Sequence, residues 1–301
     1  MRRIFATVGA ALLLGACGTS PNPITPDTPA TTGPVTTGAV TTSRLTTSPA
    51  TVTPIVVDGP RIPVEILDVF DGDSFAALVG GRTEDVRLEG INAPERDECF
   101  SGPARTALAA GLGDGAVSIV ETGRDRFGRI LAHVESGAGN LNLLQVAGGY
   151  AIATSFEHQA RDAFLAAEES AFSRGLGLWA ADACGPATAA RVAVARVEAD
   201  PPGPDEDRLL DEWIGLVNDG ENDVDVGGWT IRDESSTHRY TFDAGAVIPA
   251  GGGVVLRTGC GDDGADEVHW CADGPVWSNG GDTVLVLDAA GNVVDRHRYG
   301  G

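Results

Sequence analysis

Asp71-Gly72-Asp73-Ser74, Arg87, Asn92-Ala93-Pro94-Glu95 and Asp125-Arg126-Phe127-Gly128-Arg129 supply carboxylates, an amide and guanidinium groups in four short stretches. Hard divalent cations such as calcium take oxygen ligands from carboxylates, amides and backbone carbonyls. Arginine forks grip phosphate oxygens bidentately and stay charged at any working pH. This set could hold a divalent cation against a phosphodiester. Any one stretch alone carries little weight; their order and spacing make the case.

The elements around these residues read as strands and helices of one small domain. Val64, Ile66 and Val69, then Phe75, Ala77 and Val79, alternate as strands do, with Asp71-Gly72-Asp73 at the turn between them. Val86 to Ile91 is a third strand, on which Arg87 and Glu89 share the face opposite Val86 and Leu88. Residues 103–112 read as a helix opening on Pro103, a favoured first-turn residue. Strands follow at 117–121 and 129–135, a short helix at 141–147 and a longer one at 157–174, with Ala160, Phe164, Ala167 and Ala171 at helical spacing. Five strands and three helices imply a small barrel with helices packed against it.

Residues 62–184 resemble the staphylococcal-nuclease-like, or thermonuclease-like, family. The resemblance rests on VFDGDSF (69–75), VRLEGINAPE (86–95), RDRFGRILAHV (124–134), GGYA (148–151) and RGLGLWA (174–180). It implies an OB-fold five-stranded barrel with three helices, and calcium-dependent hydrolysis of DNA or RNA. Residue by residue, it implies that Asp73 is a calcium carboxylate, that Asn92 stands at a second ligand position where the family commonly has Asp, and that Ala93 offers its backbone carbonyl. Glu95 matches the residue that positions or activates water, and Arg87 and Arg129 match the two phosphate-gripping arginines. Asp71 and Asp125 match supporting positions. Asn92 removes a formal charge from the site, and charge count helps set calcium affinity. The alternative is a catalytically inactive protein that only binds nucleic acid or protein at the surface.

Residues 208–301 carry only short alternating strands between turns, the pattern of a β-sandwich. EWIGLVNDG (212–220), VDVGGWTIRDE (224–234), YTF (240–242) and GPVWSNGGDTVLVLDAAGNVVD (274–295) resemble the lamin-tail domain. That resemblance implies an immunoglobulin-like sandwich acting as a binding or positioning module of unknown ligand. Trp213, Trp229 and Trp277 are expected in its core. Asp262, Asp263, Asp266 and Glu267 are expected in a solvated loop. The whole chain is thus expected to be mainly β with two domains, 61–184 and 208–301, joined by a linker over 185–207.

The start of the chain predicts where these domains work. Met1-Arg2-Arg3, an apolar run from Ile4 to Leu14 and Leu14-Gly15-Ala16-Cys17 read as a signal peptide (1–16) ending in a lipoprotein lipobox, with lipid on Cys17. Residues 17–60, rich in Thr and Pro, read as a disordered stalk. The predicted location is the cell envelope, on the outer face of the cytoplasmic membrane or exported, with the protein expected as a monomer. In an exported chain the other four Cys are expected as disulfides, and the domain boundary favours Cys99–Cys184 and Cys260–Cys271. No CxxC or HxxxH spacing suggests zinc, and the five His are scattered. Net charge is −22 and every one of the 21 basic residues is Arg. That balance argues against broad electrostatic binding to nucleic acid, but not against a small cleft of local positive charge.

Overall fold

Period-two alternation builds the first domain into a closed barrel. Its elements are β1 (Ile62–Val69), β2 (Ser74–Val79), β3 (Arg82–Leu88), β4 (Ile91–Asn92), α1 (Ser101–Leu112), β5 (Val117–Arg124), β6 (Ile130–Ser136), β7 (Gly139–Asn140), α2 (Leu141–Ala147), β8 (Ile152–Ala153) and α3 (Arg161–Ser173). The order β3-β2-β1-β5-β6 is closed by a parallel pairing of β3 with β6, which sets Arg87 beside Leu131. Phe75, Val86, Leu88, Ile119, Ile130 and Val134 fill the barrel, and Leu108 and Phe164 cap it from α1 and α3. Each such side chain contributes roughly 1.5–3 kcal/mol when fully buried.

This computed structural model describes residues 54–235 and 237–300. The expected signal peptide, Cys17 and residues 17–53 of the expected stalk lie outside the described residues. Residues 54–60 differ from a stalk: Val57 is buried, and Asp58 accepts from and donates to the Gln159 side chain. Ile55 and Val57 give this stretch the apolar area that the Thr/Pro run before it lacks.

Two helix and strand limits also differ from expectation. The third strand stops at Leu88, because Gly90 turns the chain at φ 76°. The helix expected from residue 157 begins at Arg161, after a bend in which Arg161 Nε donates to the Ser155 carbonyl at 2.7 Å.

The second domain comprises β9 (Val192–Glu198), β10 (Trp213–Asn218), β11 (Val224–Asp225), β12 (Thr230–Arg232), β13 (Arg239–Thr241), β14 (Val247–Ile248), β15 (Gly253–Arg257), β16 (Glu267–His269), β17 (Gly281–Leu287) and β18 (Val293–Gly300). One four-stranded sheet runs β16-β15-β10-β9 and the other β13-β12-β17-β18. Ile214, Ile231, Ile248, Val284 and Trp277 form the core between them. Trp229 is also buried, whereas Trp213 is half-buried under the Arg196 guanidinium. The stretch expected as a linker over 185–207 contains β9, which pairs antiparallel with β10 from Val192 to Glu198. Val192, Val194 and, past a register shift, Val197 outweigh the Pro-rich run that follows.

The two folds share an apolar cluster: Ile152, Ala171, Leu178 and Trp179 pack against Leu285 of β17. Beside it the fully buried Glu168 of α3 receives Arg296 and Arg298 of β18, each at 2.9 Å. Buried charges persist only when paired and hydrogen-bonded, and Glu168 also accepts the Ala153 N–H at 2.7 Å. Disulfides join Cys99 to Cys184 and Cys260 to Cys271.

Candidate active site

The Asp71-Gly72-Asp73 turn is fixed from three sides. Asp71 accepts the Asp73 N–H at 3.0 Å and the Ser74 hydroxyl at 2.7 Å, an Asx turn that closes on itself. Gln145 of α2 donates to the Gly72 carbonyl at 2.6 Å and to the Ala104 carbonyl at 3.0 Å. A Cβ on Gly72 would lie 2.6 Å from the Ala104 Cβ and 2.7 Å from that of Ala93, so only glycine lets the turn approach α1 and the β4 strand end.

That approach brings the expected ligand residues together. Asp73 is buried and ion-paired with Arg87, and its second oxygen accepts the Ala93 N–H at 2.5 Å. Arg87 also donates to the Asn92 Oδ1 at 2.7 Å and to the Ile91 carbonyl at 3.0 Å. The Asp73 carboxylate, the Asn92 amide and the Ile91 carbonyl thus converge on one positive centre, the Arg87 guanidinium, while Ala93 meets Asp73 through its N–H. An all-oxygen set gathered around a cation fits a hard divalent ion.

Arg129 approaches from the β5–β6 turn. Asp125 caps that turn through the Phe127 and Arg129 N–H groups and holds Arg129 Nε at 2.7 Å. This leaves the two Nη groups of Arg129 for a phosphate. Arg87 and Arg129 repel one another: burial first, then Arg129, pushes the Arg87 guanidinium down to about 10, against the pull of Asp71, Glu95 and Asp125. Arg87 remains cationic at neutral pH, so the site holds positive charge inside an acidic protein.

Glu95 lies in the loop after β4, half-buried, with its N–H donating to Glu98 Oε2 at 2.8 Å. Sequence reasoning missed what holds this loop. Glu98 is ion-paired with Arg239 and lies 3.5 Å from Arg232, both from the second domain. Burial lowers both arginines, while Glu95 pulls each of them back up. The Asn92 amide donates to the Glu234 main-chain oxygen at 3.0 Å, and Ser155 donates to the Glu234 carboxylate through its N–H at 2.7 Å and its hydroxyl at 2.5 Å. A cavity of about 240 Å³ opens between the domains here, lined by Asn92, Pro94, Glu98, Arg232, Arg239 and Leu285 among others. Nothing local around residues 232–239 announces this role, because the partners Asn92, Glu98 and Ser155 lie between 79 and 142 positions away.

Elsewhere the expectations divide. Asp263 accepts the His269 N–H at 2.9 Å, and Glu267, which lies on β16 and not in the expected loop, pairs with Arg257 of β15. The scattered His residues are not all isolated: His133 and His158 converge with Glu89.

Residues 85–181 match the family described as staphylococcal nuclease homologue, and residues 186–301 match the lamin tail domain. Over 117 residues the chain is 33% identical to an uncharacterized endonuclease of Haemophilus influenzae, a match covering 38% of this chain and 65% of that protein. Protein ParB of Escherichia coli is 34% identical over 125 residues, covering 38% of this chain and 71% of the relative. Micrococcal nuclease of Shigella flexneri is 33% identical over 125 residues, covering 38% and 72%. The chain belongs to the staphylococcal nuclease homologue family and carries a lamin tail domain after the nuclease-like barrel.

Proposed function

We propose that this protein is a calcium-dependent phosphodiesterase that cuts DNA or RNA, held at the outer face of the cytoplasmic membrane by lipid on Cys17. The observation that carries the reading is the convergence of Asp73, Asn92 and Arg87, with Arg129 and Glu95 within electrostatic reach of Arg87. The names of the relatives, an endonuclease and a micrococcal nuclease, point the same way.

Asp73, Asn92 Oδ1 and the Ala93 carbonyl would hold calcium, with Arg87 released from Asp73 and Asn92 to bind the substrate. Bound calcium supplies positive charge against the phosphate, where the five-coordinate transition state gathers negative charge. Arg87 and Arg129 grip the non-bridging oxygens and stabilise them as that charge builds. Glu95 accepts a proton from the attacking water as its oxygen bonds to phosphorus. The bond to the leaving oxygen then breaks, and that oxygen takes up a proton. Asp125 keeps Arg129 aimed, and Glu98 keeps the Glu95 loop in place. The acidic surface leaves little affinity for nucleic acid outside this cleft.

The test is to incubate the full chain with single-stranded DNA, duplex DNA and RNA, with calcium or with chelator. Cleavage that needs calcium and is lost in Glu95→Gln is expected. One observation favours a second reading, a binding protein without turnover: Arg87 closes on the two oxygens a metal would need. Retained nucleic-acid binding without cleavage at millimolar calcium would establish that reading instead.

A further inference from the structure

We propose that Glu89, His133 and His158 form a second metal site, separate from the oxygen-lined one at Asp73 and suited to zinc. The closed barrel creates it. Glu89 follows β3 and donates its N–H to the Ala132 carbonyl at 2.9 Å, which sets it alongside His133 on β6. His158 reaches the same place from the bend before α3. One ligand atom from each residue lies within 4.8 Å of the others. His133 Nε2 and a Glu89 carboxylate oxygen are 3.2 Å apart, near the roughly 3.3 Å edge of a tetrahedron with about 2.0–2.1 Å bonds to zinc.

Three of the four ring nitrogens of His133 and His158 have no hydrogen-bond partner. His133 is fully buried and neither of its ring nitrogens has a hydrogen-bond partner; its approach to Glu89 is close but not aligned for one. His158 Nε2 is also buried without a partner. Leaving a buried polar atom unpaired costs about 1–3 kcal/mol, and an ion beside the Glu89 carboxylate would satisfy one such nitrogen on each histidine. Phe164 and Phe156 lie tilted against the His158 ring, at 5.1 and 5.6 Å between centroids. A Cβ on Gly90 would lie 2.4 Å from the His158 ring, so the glycine beside Glu89 makes room for the imidazole.

The donor set selects the ion. Two imidazoles and one carboxylate suit zinc and its transition-metal neighbours, whereas calcium and magnesium favour all-oxygen sites. Three protein ligands leave a fourth position for water. Binding through His158 Nε2 moves the ring proton to Nδ1, at the expense of the long 3.3 Å contact with the Ala160 N–H. The metal would pin the 154–160 bend, whose Ser155 meets Glu234 of the second domain. This inference is independent of the nuclease reading.

The experiment uses the full chain carrying Cys17→Ser, which takes away the one cysteine outside the two disulfides. Zinc is titrated against a chromophoric chelator, with Glu89→Gln, His158→Gln and Asp73→Asn variants in parallel. One zinc per chain is expected, at least about tenfold weaker in the first two variants and unchanged in Asp73→Asn. Cobalt in the unsubstituted Cys17→Ser chain should give the intense visible bands of a four-coordinate site, a readout that depends on no core variant. Absence of stoichiometric zinc, binding that survives both Glu89→Gln and His158→Gln, or a weak six-coordinate cobalt spectrum overturns the site.

Discussion

Asn92 donates its amide N–H to the main-chain oxygen of Glu234 at 3.0 Å, a hydrogen bond spanning 142 positions from the nuclease-like barrel to the lamin tail domain. Its other side-chain atom, Oδ1, accepts from Arg87. An amide satisfies both partners because it offers one donor and one acceptor; a carboxylate offers only acceptors. The amide at position 92 therefore has a structural role at the domain contact.

Asn92→Asp tests this directly. The aspartate would set an oxygen against the Glu234 carbonyl at a buried position, at a cost of about 1–3 kcal/mol. A lower melting temperature is expected, together with a lower calcium requirement for cleavage because the site regains a charge. Calorimetry and a calcium titration of activity measure the two effects separately.

Arg129→Lys should reduce cleavage by roughly 10²-fold or more, the range for losing one preorganised charge-stabilising donor. Lysine keeps the charge but not the planar fork. Arg129 sits on a partly exposed turn, so melting should be nearly unchanged. Near-normal turnover would remove it from the mechanism.

Replacing Cys99 and Cys184 together by Ser should destabilise the protein by about 2–4 kcal/mol. The bridge closes 85 residues, for which chain entropy gives about 4–5 kcal/mol, and measured effects usually fall below that figure. Denaturant unfolding of the double variant gives the value.

Glu168→Ala should cost about 3–5 kcal/mol, because it leaves Arg296 and Arg298 without their shared buried carboxylate. The loss should appear as an unfolding midpoint shift, well beyond that of an exposed-acid control such as Asp162→Ala.

Asp282 sets a pH dependence. Burial, then Glu234 and Asp233, push its carboxyl up to about 7. Above its unfolded value and below about pH 7, the folded chain holds a proton that the unfolded chain releases. Its contribution to stability therefore falls as pH rises from about 4 to 7 and levels off above. Asp282→Asn should flatten that portion of the stability profile, which melts recorded between pH 5 and 8 would reveal.

Much of the site was legible in the chain because its parts are local. Asp71-Gly72-Asp73 is a turn by composition, and Arg87 lies five residues from its acceptor Asn92. Asp125 and Arg129 close a single hairpin. Barrel and sandwich alike follow from alternation, and alternation is a property of neighbours. The strand β9 escaped because its three valines adjoin a Pro-rich run, and the start of α3 because its bend is held by distant partners.

Residue types and spacing alone mark which groups could meet a phosphodiester and where the main strands of the barrel run. Tertiary structure alone decided what surrounds them. Barrel closure of β3 on β6 and the seating of β17 and β18 against α3 bring Glu89 to His133 and His158, and Glu98 to Arg232 and Arg239. The physical reason is separation: strand and turn preferences act over a few residues, whereas these groups meet only after the chain between them has packed.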